Sequence, residues 1–328
     1  MKKKKQKTIN SSKVKQTCDH IKQEIGKVVV GYDSVIEDFL VCLITQSHMF
    51  MIGIPGIAKT TLAKTFAQVT GLSWNRVQFT QDLLPSDIIG HYYFNQKTSE
   101  FELRKGPVFS EILLADEINR APPKTQSALI ESMQERQVTI EGTTLELPWP
   151  FMVIATKNPV ETEGVYPLPE AQLDRFLYRV DMDYLEHDLE LELLKRKSAH
   201  EEPPIETLKP TDIHHIVGLH HHVYIEEAVL SYILKIIDET RNTEKVVLGA
   251  SPRAGEHLLF ASKAYALIHG RDYVIPDDVK TVAPKVLCHR LLLSAEAELE
   301  GLSTQKVIDD LLASVEIPEI MEAKAMSS

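Results

Sequence analysis

The stretch Gly53-Ile54-Pro55-Gly56-Ile57-Ala58-Lys59-Thr60-Thr61 constrains this chain more than any other. An apolar run, His48-Met49-Phe50-Met51-Ile52, precedes it and reads as a short buried strand. Leu62-Ala63-Lys64-Thr65-Phe66-Ala67 follows and reads as a helix. Strand, glycine-bearing loop, Lys-Thr and helix is the layout of a phosphate-binding P-loop. In that layout the loop from Pro55 through Gly56, Ile57 and Ala58 to Lys59, Thr60 and Thr61 wraps a phosphate. Inward N–H groups and the positive end of the helix supply the attraction. The Lys59 ammonium can reach β- and γ-phosphates, and the Thr60 hydroxyl can ligate Mg²⁺. Ala58 stands where the usual pattern has glycine; a helical φ would let alanine sit there without strain.

A second anchor lies downstream. Glu111-Ile112-Leu113-Leu114-Ala115-Asp116-Glu117 is an apolar strand ending in two carboxylates, the Walker B arrangement. Asp116 is expected at the carboxyl end of a central strand, holding Mg²⁺ through water. Glu117 is expected to polarise the attacking water as a general base. Phe151 to Thr156 reads as another buried strand, ending near Asn158. That amide could orient the lytic water or touch the γ-phosphate. Leu173-Asp174-Arg175-Phe176 precedes a further strand, Leu177 to Met182. With Asn75 to Phe79, these runs predict a parallel αβα sheet of five strands around the P-loop.

The remaining segments read as follows. Cys18 to Ile25 is a short amphipathic helix. Val28-Val29-Val30-Gly31 suggests an apolar strand and turn, a wall for an adenine pocket or a buried edge. Asp33 or Ser34 can cap the helix Val35 to Ile44. His91 to Phe94 with Glu100 to Leu103, and Gln137 to Leu147, read as hairpins. Pro123 to Gln134 is helical. From Glu186 the pattern turns helical: Glu186 to Ser198, Val229 to Thr240, Ala254 to His269 and Val279 to Leu293. Ser251-Pro252-Arg253 supplies a cap and a first-turn proline, presenting Arg253 from a helix start. His214, His215, His220, His221 and His222 lack the carboxylate–histidine signature of a metal site.

Length and composition set limits. The 328 residues suffice for about two domains. A formal charge of -11 argues against non-specific binding to nucleic acid or anionic membrane. Cys18, Cys42 and Cys288 are far apart, which fits a reducing compartment. No apolar run reaches membrane-spanning length. The lysine-rich start, Lys2 to Lys5, lacks a following apolar segment and is expected to be a disordered tail.

These stretches together resemble the MoxR-type AAA+ ATPases. The resemblance rests on Gly53 to Thr60, Gln78-Phe-Thr-Gln-Asp-Leu-Leu-Pro-Ser-Asp87, Leu114-Ala-Asp-Glu-Ile-Asn-Arg-Ala-Pro-Pro-Lys-Thr-Gln-Ser-Ala128, and Glu163-Gly-Val-Tyr-Pro-Leu-Pro-Glu-Ala-Gln-Leu-Asp-Arg-Phe176. Gly249-Ala-Ser-Pro-Arg253, Gly270-Arg-Asp-Tyr-Val274 and His289-Arg290 extend it. The resemblance implies an ATP-hydrolysing AAA+ core followed by a helical lid. The expected division is a tail over 1–17, the core over 18–184 and the lid over 185–328. It further implies a hexameric ring of identical copies in the cytoplasm that remodels or matures protein complexes. Metal insertion and partners with von Willebrand factor A domains belong to that expectation; nucleic acid does not. ATP and Mg²⁺ are the implied ligands. Val30 and Gly31 would line the adenine side, with Lys59, Thr60, Asp116 and Glu117 at the phosphates. Asn158 becomes sensor 1, Arg253 sensor 2, and Arg175 the arginine finger toward a neighbouring copy. Ala58 is usual in this family. Tyr32, after Val-Gly, and Lys157, before Asn158, depart from its pattern. A nucleic-acid motor of the related helicase clade and a nucleotide-dependent switch without sustained turnover are the competing functions.

Overall fold

Short apolar runs bounded by turns become the central sheet because burial on both faces favours Val, Ile, Leu and Met over alternation. The computed structural model describes residues 10–161, 164–199 and 203–318. In chain order its first elements are α1 (Ser11–Val28), α2 (Asp33–Ile44), β1 (Met49–Gly53), α3 (Lys59–Thr70) and β2 (Trp74–Gln78). Next come α4 (Pro85–Ile89), β3 (Gly90–Asn95), β4 (Glu100–Lys105), β5 (Ile112–Asp116) and α5 (Pro123–Glu135). Then follow β6 (Gln137–Ile140), β7 (Thr143–Glu146), β8 (Met152–Lys157), α6 (Glu170–Leu173) and β9 (Tyr178–Met182). The last are α7 (His187–Ser198), α8 (Pro210–Ile216), α9 (Glu227–Asn242), β10 (Val246–Leu248), α10 (Pro252–Ile268), α11 (Pro276–Leu287), β11 (Leu292–Leu293), α12 (Ala295–Leu299) and α13 (Thr304–Ser314).

The chain divides into two compact units, Thr17–Val217 and the described parts of Met1–Gln16 with Gly218–Ser328. In the first, five strands form one sheet in the order β2-β5-β8-β1-β9. Every neighbouring pair is parallel. The sheet is the αβα layer expected from the sequence. Phe50, Leu113, Ala115, Val153 and Ala155 face a core completed by Leu129, Ile130 and Met133 of α5. Alternate residues point to the other face, where Phe39 of α2 meets Phe66 of α3 edge-on at 5.1 Å. The two expected hairpins form as β3–β4 and β6–β7.

His48 locks the base of the sheet. Its Nδ1 accepts from the Val153 N–H at 3.0 Å, so Nε2 carries the proton and donates to the Met133 carbonyl at 3.2 Å. Complete burial pushes the imidazole down to about 4, against the hydrogen bond to Met133. The unfolded chain therefore binds the extra proton below the usual histidine range, and folding stability is lost as pH falls from 6.5 toward 4. Urea unfolding should show ~2 kcal/mol less stability from this group at pH 5 than at pH 7.5. His48→Gln should flatten that slope; an unchanged slope would remove His48 as its source.

Several boundaries differ from the sequence reading. Residues 1–9 of the expected tail lie outside the described residues, and residues from Ser11 are helical, because α1 runs on to Val28. Val28-Val29-Val30 is not a strand: Val29 N–H bonds back to the Ile25 carbonyl at 2.9 Å, continuing the helical pattern. α2 starts at Asp33, and neither Asp33 nor Ser34 caps it; Tyr32 holds the cap position without a side-chain bond. α7 and α8 belong with the first unit, although the expected division falls after residue 184. Arg196 donates to the carbonyls of Gly26 and Lys27 at 2.8 and 2.9 Å, and Leu208 N–H to that of Val69.

The second unit packs α9, α10, α11 and α13 around Ile236, Leu258, Ala261, Leu287 and Ile308, all buried. The Gly270–Val274 turn is fixed by Arg271, which grips the buried Asp278 with both terminal nitrogens at 2.6 and 2.5 Å. The helix expected through Leu293 stops at Leu287. Leu292 and Leu293 leave it to pair antiparallel with β10, a non-local partner that outweighs local helical preference.

Candidate functional site

The sheet order explains why distant residues meet. β8 lies between β1 and β5, and in a parallel sheet all three carboxyl ends emerge on one edge, where ligands bind in such folds. The loop after β1, the pair Asp116-Glu117 after β5 and Asn158 after β8 therefore share one neighbourhood.

Gly53 ends β1, and the chain turns through Ile54, exposed Pro55 and exposed Gly56 to buried Ile57. Gly56 has φ +89°, and a Cβ added there would meet nothing within 4 Å, so the loop is open over it. Ala58 has φ +60°. This is not the helical φ at which alanine would sit without strain. The chain needs a left-handed residue to enter α3 at Lys59, and alanine accepts this at a cost of ~1 kcal/mol. Lys59 is buried at the start of α3, and its ammonium donates to the Gly53 carbonyl. Burial pulls its pKa below the lysine range, opposed by the charges of Asp116, Glu117 and Glu161. Thr60 is half-buried and Thr61 exposed on the first turn of α3.

Both carboxylates after β5 are engaged. Asp116 is buried; its Oδ1 accepts from Thr156 Oγ1 at 2.6 Å. Its Oδ2 accepts from Arg76 Nε and Nη2 at 3.1 and 2.7 Å. Glu117 has the left-handed φ of +56°, and its N–H donates to Thr156 Oγ1 at 2.9 Å. A non-glycine residue in that region is a strained position held by its surroundings. Glu117 Oε2 accepts from Gln78 Nε2 at 2.6 Å and from Arg120 Nη1 at 2.9 Å. The Glu117 hydrogen bond holds Arg120 above the usual arginine range. Arg120 Nε also lies 3.8 Å from Glu161 Oε2. Asn158 is buried and donates from Nδ2 to Glu161 Oε1 at 3.1 Å. One polar chain thus runs from Arg76 through Gln78, Glu117, Arg120 and Glu161 to Asn158. From the sequence, Arg76 and Glu161 carry no role and Gln78 only a place in a family stretch. The signal for Gln78 is register: it sits directly beside Asp116 on the neighbouring strand.

The donor set suits a magnesium–triphosphate. It offers an open glycine turn at a helix N-terminus, a buried lysine, a threonine hydroxyl and a carboxylate that already holds a cation, the Arg76 guanidinium. Val30 is buried, and Gly31 has φ +82°, with Leu185 Cδ2 only 2.6 Å from where a Cβ would lie. Tyr32 Oη donates to the Asp183 carbonyl at 3.4 Å.

Two further expected site residues belong to other elements. Arg175 precedes β9, at the amino end of the sheet. Leu177 N–H bonds there to the carbonyl of His48, just before β1. Arg175 Nε donates to Gln134 Oε1 at 2.7 Å and Nη1 to the Ala171 carbonyl at 3.0 Å. Arg253 lies in the second unit, in the first turn of α10, where Ser251 Oγ accepts from the Ala254 N–H at 3.3 Å. Two other arginines of this unit are paired with carboxylates: Arg120 with Glu117 at 2.9 Å and Arg179 with Asp181 at 3.1 Å. Glu163 lies outside the described residues.

Comparison with known proteins agrees with this arrangement. Residues 48–178 match the ATPase family associated with various cellular activities (AAA), and residues 238–311 match the AAA lid domain. The protein YeaC of Bacillus subtilis (strain 168) is 44% identical over 90% of this chain and 93% of its own length. Chaperone MoxR1 of Mycobacterium tuberculosis is 42% identical over 90% of this chain and 81% of its own. A crystal structure of a protein from Cytophaga hutchinsonii superposes with a TM-score of 0.88 at 42% identity, covering 94% of this chain and 97% of that one. With the lysine loop, the paired carboxylates and the lid segment on one chain, it belongs to the MoxR family of AAA+ ATPases.

Proposed function

We propose that this chain binds and hydrolyses ATP in a hexameric ring of its own copies, and spends the cycle remodelling or maturing protein complexes, metal insertion included. The observation that carries the reading is the convergence of Lys59, Asp116, Glu117 and Asn158 on one edge of the sheet. Lys59 leaves the Gly53 carbonyl for the β- and γ-phosphates, and the exposed turn at Gly56 lets backbone N–H groups approach them. Thr60 and Asp116 would hold Mg²⁺, which neutralises charge on the phosphate oxygens. Glu117, once released by Gln78 and Arg120, takes the proton of the attacking water. Asn158 orients that water. Val30 and Gly31 border the adenine. Arg253 closes on the γ-phosphate from the lid, and Arg175 serves the nucleotide of an adjacent copy. A cytoplasmic setting, with a von Willebrand factor A domain protein as partner, fits this reading. Among the described residues no helix is long and apolar enough to cross a membrane.

Lys59→Ala is the direct test. It removes the one ammonium buried at the loop and should weaken ATP affinity by ~10²-fold, the scale of a lost charge-assisted contact or two. Calorimetric titration measures it; undiminished affinity in a folded variant contradicts the P-loop assignment.

A further inference from the structure

We propose that Arg76 occupies the cation position of Asp116 in the resting chain, and that guanidinium and Mg²⁺ compete for that carboxylate. The inference rests on Asp116 being the metal-side carboxylate of the ATP site.

Three observations carry it. First, Arg76 places both Nε and Nη2 on a single oxygen, Asp116 Oδ2. Oδ1 is taken by the Thr156 hydroxyl. Oδ2 thus has both its lone-pair positions turned to the guanidinium, so a metal that takes this oxygen must displace Arg76. Second, Arg76 is able to leave. Its side chain is 44% exposed, while that of Asp116 is 11% exposed. The guanidinium can be rehydrated; the carboxylate needs a replacement partner, since a buried charge without one is costly. Third, Arg76 is wired to the other carboxylate. Its Nη2 also donates to Gln78 Oε1 at 2.7 Å, and the same amide donates from Nε2 to Glu117 Oε2 at 2.6 Å. The strand register enforces this, because Arg76 and Gln78 are two apart on β2 and share a face, with Gln78 level with Asp116.

The consequence is a coupling. With Arg76 in place, Asp116 is neutralised and Gln78 is oriented so that its amide pins Glu117. When Asp116 gives up Arg76 for the metal, Gln78 loses the donor on its carbonyl oxygen, and its hold on Glu117 is no longer set from behind. Arg76 is thus a positioning residue: it links metal uptake at one carboxylate to release of the other. An Arg–Asp pair that only braced β2 against β5 would be indifferent to Mg²⁺.

The test uses the full chain and the β,γ-imido analogue of ATP, titrated at increasing Mg²⁺ and again in EDTA. In Arg76→Gln, the Mg²⁺ concentration giving half-maximal tightening should fall roughly tenfold, as expected for losing one charged competitor. Arg76→Lys, which keeps the charge, should stay near the parent. An Mg²⁺ requirement unchanged or raised in a normally melting Arg76→Gln variant overturns the proposal. Should that variant unfold, the parent still decides: in its structure with Mg²⁺ and the analogue, an Arg76–Asp116 contact kept at the present 2.7 Å contradicts competition. Failure of the ATP-site reading looks different. The parent would then not bind the analogue at any Mg²⁺ concentration, or Lys59→Ala would bind it as tightly.

Discussion

Glu117→Gln is expected to bind ATP as well as the parent and to hydrolyse it ~10²–10⁴-fold more slowly, the usual cost of losing a general base. The substitution keeps the volume and still offers an oxygen to Gln78 Nε2 and Arg120 Nη1, the two groups that hold the present carboxylate. It leaves Lys59 and the Gly56 turn untouched. What disappears is the capacity to accept a proton from water. Steady-state phosphate release beside an equilibrium binding curve separates the two effects. Turnover at the parent rate would take the base role away from Glu117. The same slow variant should retain clients long enough to be isolated with them, which is the route to their identity.

Arg175→Ala is expected to keep nucleotide affinity while losing ~10³–10⁵-fold in turnover, the scale of an arginine supplied in trans. The fold motivates this. Arg175 precedes β9 at the amino end of the sheet, whereas the lysine loop follows β1 at the carboxyl end, and β1 and β9 run parallel side by side. One such strand separates the two ends by roughly 15 Å, so Arg175 does not reach its own loop. Its contacts with Gln134 and Ala171 hold it at the mouth of α6 without involving a carboxylate. Guanidinium suits the task, being permanently charged and planar against phosphate oxygens. Activity should rise with protein concentration as rings assemble. Mixing Arg175→Ala with Glu117→Gln should restore part of it, because some interfaces then pair an intact Arg175 with an intact Glu117. Full activity of Arg175→Ala alone, independent of concentration, would rule the role out.

Much of this was readable from sequence because the informative segments are short and strongly patterned. The apolar runs His48 to Ile52, Glu111 to Glu117 and Phe151 to Thr156 read as buried strands, and the Lys-Thr after the first marked the helix that follows. The two hairpins announced themselves by alternation around polar turns. What escaped was decided by long-range contacts. Val28 to Val30 has strand-like composition but finds no strand to pair with: Val28 ends α1, and Val29 bonds back to its last turn. Leu292 and Leu293 leave a helical pattern because β10 offers a ladder. The backbone angle of Ala58 was not legible either, because the route into α3 demands a left-handed residue there. The partners of the two carboxylates were invisible for another reason. Arg76 and Gln78 belong to a strand whose neighbour, β5, lies more than thirty residues downstream, and only the register brings them level. Composition cannot reveal such a network.

ATP is expected on the Gly53–Thr60 loop, facing Asp116 and Asn158. The most direct measurement is an experimental structure of Glu117→Gln with Mg²⁺ and ATP. The β- and γ-phosphates should lie at the first turn of α3, with the Lys59 ammonium moved from the Gly53 carbonyl onto them. Nucleotide bound elsewhere, or Lys59 still on that carbonyl beneath a bound triphosphate, would contradict it.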